Sequence, residues 1–353
     1  MRLVQTKRIA ALTVPLALLT AVISGCGSST TAATSKNTTG GGNNTASTKQ
    51  IVIKLSNTIP TGQPITEASY KFAQLVQKAS NGQIKVEIFP NNQLGGENAV
   101  EQQVKQGTIQ MSIDSASTVG NIVPDIGVMD APYVWTNFSE LEKVTNGPLF
   151  VPIRKDLEQN GIKLLSTTWY FGTRELTSDK PIKTPADAKG LKIRTPPAPT
   201  NLLAGRVLGG NPVPLNPQEL YMALKQHTVD AQENPLSFIY ADKLYEVQKY
   251  VSLTNHILQS QVVLINYKFW KSLSSSQQNI IQNAVNQAGK YEVQLAQQND
   301  QKMLTTFEHL KGITIIHPDV AAFRQRAAKL VKTSGLPWVS LYETIQKQEG
   351  ASN

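Results

Sequence analysis

From residue 50 onward, apolar and polar positions follow two periods, one suited to strands and one to helices. Ile51-Val52-Ile53-Lys54-Leu55 is a short apolar run of the buried-strand type. It leads to a helix predicted to open at Pro64, with Ile65, Ala68, Phe72, Leu75, Val76 and Ala79 on one face. Asn81-Gly82 supplies the stop. Ile84, Val86 and Ile88 then alternate with polar neighbours, as a half-buried strand requires. A second helix is expected over about 97–106 and a third strand over 109–113. This βαβαβ rhythm predicts a mainly parallel sheet covered by helices.

The middle of the chain repeats the theme. A strand is expected over 162–171. Thr184-Pro185-Ala186-Asp187 carries the cap residue, first-turn proline and early acid of a helix start, with Gly190 closing it. Leu191-Lys192-Ile193-Arg194 is the next strand. Asn216-Pro217-Gln218-Glu219 opens a further helix with capping-box logic. From Ser274 to about Lys311 the pattern is helical, interrupted near Gly289. The expected fold is α/β, with two lobes and long carboxy-terminal helices, spanning 50–353.

The amino terminus has a different character. Arg2, Lys7 and Arg8 precede an apolar stretch from Ile9 to Ile23, broken by Pro15. That stretch is shorter than the roughly 20 residues a membrane-spanning helix needs, so residues 1–25 are predicted to be an export signal. It ends Ile23-Ser24-Gly25-Cys26, which resembles the lipobox of bacterial lipoproteins, where the cysteine is acylated. Cys26 is the only cysteine, so no internal disulfide can form. Residues 27–49 are almost wholly Ser, Thr, Gly, Asn and Ala, a composition that buries little apolar surface. Together with Cys26 they form the expected tether, with a root-mean-square reach of roughly 25–29 Å.

Charge and chemistry narrow the function. The formal net charge is +9, of which three charges belong to the leader, leaving 9 − 3 = +6. No run of Lys and Arg suits nucleic acid. His227, His256, His309 and His317 are scattered, none at metal-ligand spacing. No nucleophile elbow, P-loop or dinucleotide fingerprint is present, so neither catalysis nor a cofactor is expected. Two arginines stand out instead. Arg174 follows an aromatic strand, and Arg194 ends the Leu-Lys-Ile run. A guanidinium fork can donate two parallel hydrogen bonds to one carboxylate. At a strand end it would face the crevice where open α/β sheets bind ligands. A structural salt bridge is the competing role for either arginine. On spacing alone the chain is a two-lobed binder of an anionic solute.

Residues 172–258 go further. Gly172-Thr173-Arg174, Lys189-Gly190-Leu191-Lys192-Ile193-Arg194-Thr195-Pro196, Glu219-Leu220-Tyr221-Met222-Ala223-Leu224 and Val229-Asp230-Ala231-Gln232-Glu233-Asn234-Pro235 occur in that order. With Gln93-Leu94-Gly95-Gly96-Glu97 and Asp130-Ala131-Pro132-Tyr133-Val134 upstream, the succession resembles the DctP-type receptors of tripartite ATP-independent periplasmic (TRAP) transporters. The resemblance covers nearly all of 50–320. It implies a periplasmic-binding-protein-like fold with a hinge and an interlobe cleft. It also implies two integral membrane subunits, one small and one large, as partners. It matches Arg194 to the arginine that clamps the ligand carboxylate, and Arg174 and Asn234 to two further contacts with that group. Asn57 and Glu97 match positions that grip distal hydroxyls.

The motifs look especially like those of sialic-acid-binding members, but Ser115, Thr118, Pro197 and Pro217 stand where an acid, an arginine, an asparagine and an aromatic are expected. A smaller sugar acid, such as a uronate or aldonate, is therefore the expected solute, with a four-carbon dicarboxylate next. A receptor for an ATP-driven importer or a sensor kinase, and a surface lipoprotein hydrolase, are the alternatives.

Overall fold

The computed structural model describes residues 50–350. The expected export signal, Cys26 and the tether lie outside the described residues.

The first lobe runs β1 (Ile51–Asn57), α1 (Pro64–Ala79), β2 (Ile84–Phe89), α2 (Glu97–Gln106), β3 (Met111–Ser115) and α3 (Ala116–Val119). Two further helices, α4 (Phe138–Thr145) and α5 (Val151–Gln159), lead to the long strand β4 (Ile162–Ser178). The second lobe follows with β5 (Lys192–Thr195), α6 (Pro199–Val207), β6 (Asn211–Pro214), α7 (Pro217–Lys225), β7 (Ala231–Pro235) and α8 (Leu236–Ala241). The chain returns through β8 (Tyr250–Asn266) and α9 (Tyr267–Ser272) to α10 (Ser275–His309), then β9 (Thr314–Ile316), α11 (Val320–Lys332) and α12 (Val339–Gly350).

One sheet threads both lobes in the order β2-β1-β3-β8-β4-β7-β5-β6, with β9 beside β8. Within each lobe the expected parallel pairing holds, β1 with β2 and β3, and β5 with β6 and β7. The join between lobes is antiparallel. β4 and β8, 17 residues each, pair along their whole length and lend opposite ends to the two lobes. Their register slips four times between Leu164 and Leu176. Such bulges interrupt the ladder and bend a strand locally, which suits the point where one lobe turns on the other.

Apolar faces do most of the assembly. Ile65, Ala68, Phe72 and Val76 of α1 pack with Ile53 and Leu55 of β1 in one buried cluster. α1 stops where expected, with Asn81 and Gly82 at φ 49° and 77°. The predicted interruption near Gly289 is absent, and α10 runs unbroken for 35 residues. Gly289 is instead a packing site, since a Cβ there would stand 2.8 Å from the Trp169 indole nitrogen.

The helix expected from Thr184 is also absent. Residues 184–190 form successive turns, bonded Asp187 N to Thr184 O and Lys189 N to Ala186 O. The Asp187 carboxylate folds back onto the amides of Lys183 and Thr184. Between Pro185 and Gly190 there is too little chain to propagate a helix after its costly nucleus. Among the described residues no helix is long and apolar enough to cross a membrane.

Candidate functional site

The lobes face each other across a narrow cavity of about 30 Å³. A wider, open groove between α4, β4 and α10 has Lys290 as its one cation and no guanidinium among its lining residues. The interlobe cavity is lined by four of the five expected ligand contacts, Arg194, Arg174, Asn234 and Glu97.

Arg194 sits in β5 between Val213 of β6 and Gln232 of β7. Its neighbours run parallel to it, so the strand's carboxyl end delivers the side chain to the crevice. Arg194 is 1% exposed. Nε and Nη2 donate to the Leu215 carbonyl at 2.9 and 2.6 Å, fixing one edge of the guanidinium. Nη1 and the second hydrogen of Nη2 have no protein acceptor among the described residues. No carboxylate there lies within ion-pair distance of Arg194 either. Burial brings its pKa down to about 10, with Glu233 pulling it back up. It is a cation at neutral pH, buried without an anion.

Arg174 is the opposite case. Its Nε bonds Glu233 Oε2, and Nη2 donates to Glu233 Oε1 at 2.9 Å and to the Glu233 carbonyl at 2.6 Å. Nη1 donates to Gln259 Oε1 at 2.8 Å. Burial pushes the Glu233 carboxyl up, but Arg174 and His256 outweigh it and hold it down at about 2. An ionised Glu233 only accepts, so His256 Nε2, 3.0 Å away, carries the proton of that bond. Nδ1 then accepts from Thr254 Oγ1 at 2.9 Å. Burial lowers the His256 pKa below its ordinary value, which keeps the ring neutral at pH 7. Gln259 extends the network to Asp130, whose carboxyl burial pushes up to about 6. Arg174 thus borders the cavity with most of its donors engaged by protein.

Asn234 of β7 is 4% exposed, and its Nδ2 donates to Gln232 Oε1 at 2.7 Å. Glu97 is the first residue of α2, where the helix's exposed N–H groups favour an anion. Its Oε2 accepts from Ser115 Oγ at 2.9 Å, and its Oε1 from the Ser115 amide at 3.3 Å. Behind it Glu101 and Asp114 are almost fully buried. Burial, reinforced by neighbouring carboxylates, raises both well above the usual range. Both cations of the cavity therefore sit on β4 and β5, and an acidic group sits opposite.

Asn57 departs from expectation. It is 1% exposed and does not line the cavity. Its Oδ1 accepts from the Ile59 amide at 2.9 Å and from Thr66 Oγ1 at 3.3 Å, while Nδ2 reaches Ser69 Oγ. The amide is consumed in closing the turn from β1 to α1, and its neighbours Thr58 and Ile59 border the cavity instead.

Other lining residues were not anticipated, chiefly Gln259 and Gln261 of β8 and Asn98 of α2. The first two had a visible signal, because the polar run Gln259-Ser260-Gln261 stands directly before the apolar run Val262-Val263-Leu264-Ile265. Gln261 Oε1 is buried with no partner among the described residues. No cluster of three or more metal-ligating side chains was found among the described residues.

Comparison with known proteins identifies the family. Residues 55–335 match the family model described as bacterial extracellular solute-binding protein, family 7 (DctP). The sialic acid-binding periplasmic protein SiaP of Vibrio cholerae is 32% identical over 280 residues, 79% of this chain and 87% of its own. The 2,3-diketo-L-gulonate-binding periplasmic protein YiaO of Escherichia coli is 33% identical over 266 residues, 75% and 81% of the two chains. A TRAP periplasmic solute-binding protein from Actinobacillus succinogenes, solved with bound L-galactonate, superimposes with a TM-score of 0.80 at 30% identity. That alignment covers 84% of this chain and 98% of the other. The two parallel-stranded lobes, the interlobe cavity and these matches lead to one conclusion: the chain belongs to the DctP family of extracytoplasmic solute receptors that serve TRAP transporters.

Proposed function

We propose that this protein is a lipid-anchored receptor that captures a polyhydroxylated monocarboxylate, an aldonate or uronate, and presents it to the small and large membrane subunits of a TRAP transporter. The observation that carries the reading is Arg194, a buried guanidinium with one edge tied to Leu215 and the rest without an acceptor. An unpaired charge in a water-poor site is costly, and a solute carboxylate would relieve that cost with two parallel bonds. Arg174 and Asn234 stand beside it to support the same group. At the other end, Glu97 and Gln261 Oε1 present acceptors, which call for donors such as sugar hydroxyls.

The same arrangement argues against a four-carbon dicarboxylate. Its second carboxylate would meet Glu97 rather than a cation, and like charges at that range repel. Pro197 and Pro217, in the cavity wall, have no backbone N–H to offer it either. Calorimetry and thermal shift with L-galactonate, D-galacturonate and succinate test this. A sugar acid is expected to bind at least about tenfold more tightly than succinate, equivalent to about 1.4 kcal/mol. At 100 times its dissociation constant it should add about 2.7 kcal/mol of stability. Tighter binding of succinate, or of a neutral sugar, would overturn the reading.

The anchor rests on Cys26 and the apolar segment before it. One acyl chain alone binds membranes weakly, so the multiply acylated cysteine of a lipoprotein is the fitting form. Cys26→Ser is expected to move the protein from the membrane fraction to the soluble extracytoplasmic fraction. Unchanged membrane retention in fractionated cells would exclude the anchor.

A further inference from the structure

The two lobes are joined across the cavity rim by a closed triangle of hydrogen bonds that involves no solute. Asn98, in the first turn of α2, donates from Nδ2 to the Pro197 carbonyl at 3.2 Å. Asn121, in the loop after α3, donates to the same carbonyl at 3.2 Å and to Asn98 Oδ1 at 2.7 Å. Asn98 and Asn121 belong to the first lobe, and Pro197 follows β5 in the second. We propose that this triangle is a latch, in which Asn98 and Asn121 act as positioning residues that hold the lobes shut and set how slowly a bound solute escapes. The proposal rests on the solute-receptor reading above.

Three features make the contact more than a chance meeting of polar groups. The acceptor is held stiffly, because Pro196 and Pro197 fix two successive φ angles and the Ala198 amide bonds back to Pro196 O at 2.9 Å. Both side-chain amides are engaged in the triangle. Asn121 spends Nδ2 on two acceptors, and Asn98 donates with one end while accepting with the other. The lobes also approach closely beside it, where a Cβ at Gly96 would stand 3.1 Å from Asn216 Oδ1 of the second lobe. Asn98 borders the cavity, whereas Asn121 is an exposed rim residue outside the lining. Its removal therefore tests the latch without touching the solute.

Escape of solute requires reopening, so bonds present only in the closed form slow dissociation and leave association almost untouched. With L-galactonate as probe, Asn121→Ala is expected to raise the dissociation rate about 3- to 10-fold, the worth of one or two neutral hydrogen bonds at a wet rim. The association rate should stay within about twofold. Asn121→Asp keeps the size and removes the donor, and it should behave like the alanine variant. An unchanged dissociation rate in either variant overturns the latch.

If L-galactonate does not bind the unaltered protein, the sugar-acid reading fails, and the latch is tested without solute. Nitroxides at Lys78 and Gln226, exposed positions on α1 and just after α7, report the interlobe distance in the full chain carrying Cys26→Ser. Asn121→Ala is expected to shift the distribution towards longer distances. Identical distributions would overturn the proposal.

Discussion

Arg194→Ala is expected to abolish capture of the solute while leaving the unliganded protein as stable as before, or more so. The two signs follow from one fact. In the solute-free protein the guanidinium is buried with only the Leu215 carbonyl as acceptor, a cost to the fold that no direct ion pair offsets. Removing it relieves that cost and opens a small polar space. In the complex the same group would hold the carboxylate, and truncating one member of a buried charge pair costs about 2–5 kcal/mol. In affinity that is about 30- to 4000-fold. Arg194→Lys should fall short as well, because an ammonium cannot keep the Leu215 bond and offer a flat two-donor edge together. Calorimetry and urea unfolding on the same preparations decide it. Retained affinity, or a stability loss of several kcal/mol without solute, would make Arg194 a structural residue.

Glu233→Ala should have the reverse signature, a large loss of stability with or without solute. Arg174 would keep its charge inside the protein with only Gln259 and a backbone carbonyl for company. Breaking a buried pair by removing one partner costs about 3–5 kcal/mol. The pH dependence carries the same information. Glu233 is depressed from 4.5 to about 2 in the folded state, so the unfolded chain takes up this proton first as the solution is acidified. Its stabilisation is therefore present above about pH 4.5 and lost as pH falls towards 2. His256 acts in the same direction. Its folded pKa is lowered, so the unfolded chain gains a proton that the buried ring resists. Urea unfolding from pH 7 to 3 should show the unaltered protein losing more stability than Glu233→Ala, whose curve lacks the Glu233 contribution. A variant destabilised by less than about 1 kcal/mol would mean that Arg174 finds water when its partner is gone.

Arg174 and Arg194 show where local sequence stops being informative. Arg194 lies near the end of β5 and Arg174 inside β4, and both fit a carboxylate clamp or a salt bridge. The difference is decided by Glu233, 59 residues after Arg174 in sequence, which β7 brings alongside β4. Asn57 makes the same point from the other side. The resemblance singled it out, but its amide is bonded to Ile59, Thr66 and Ser69 once α1 packs on the strand.

What the sequence determined by itself was everything governed by neighbours a few residues apart. The periods of apolar residues located β1, α1, β2 and α2. The Asn216-Pro217-Gln218-Glu219 segment located the start of α7, where Glu219 Oε2 accepts from the Asn216 amide. The ordered motifs around Arg194 carried the family. Only the tertiary structure decided that the lobes share one sheet through β4 and β8, and that Gly289 makes room for Trp169. It alone distinguished the guanidinium already paired from the one without a carboxylate partner. The reason is physical: periodicity and capping are set along the chain, whereas a buried polar group's free hydrogen-bonding capacity depends on which distant strands are folded against it.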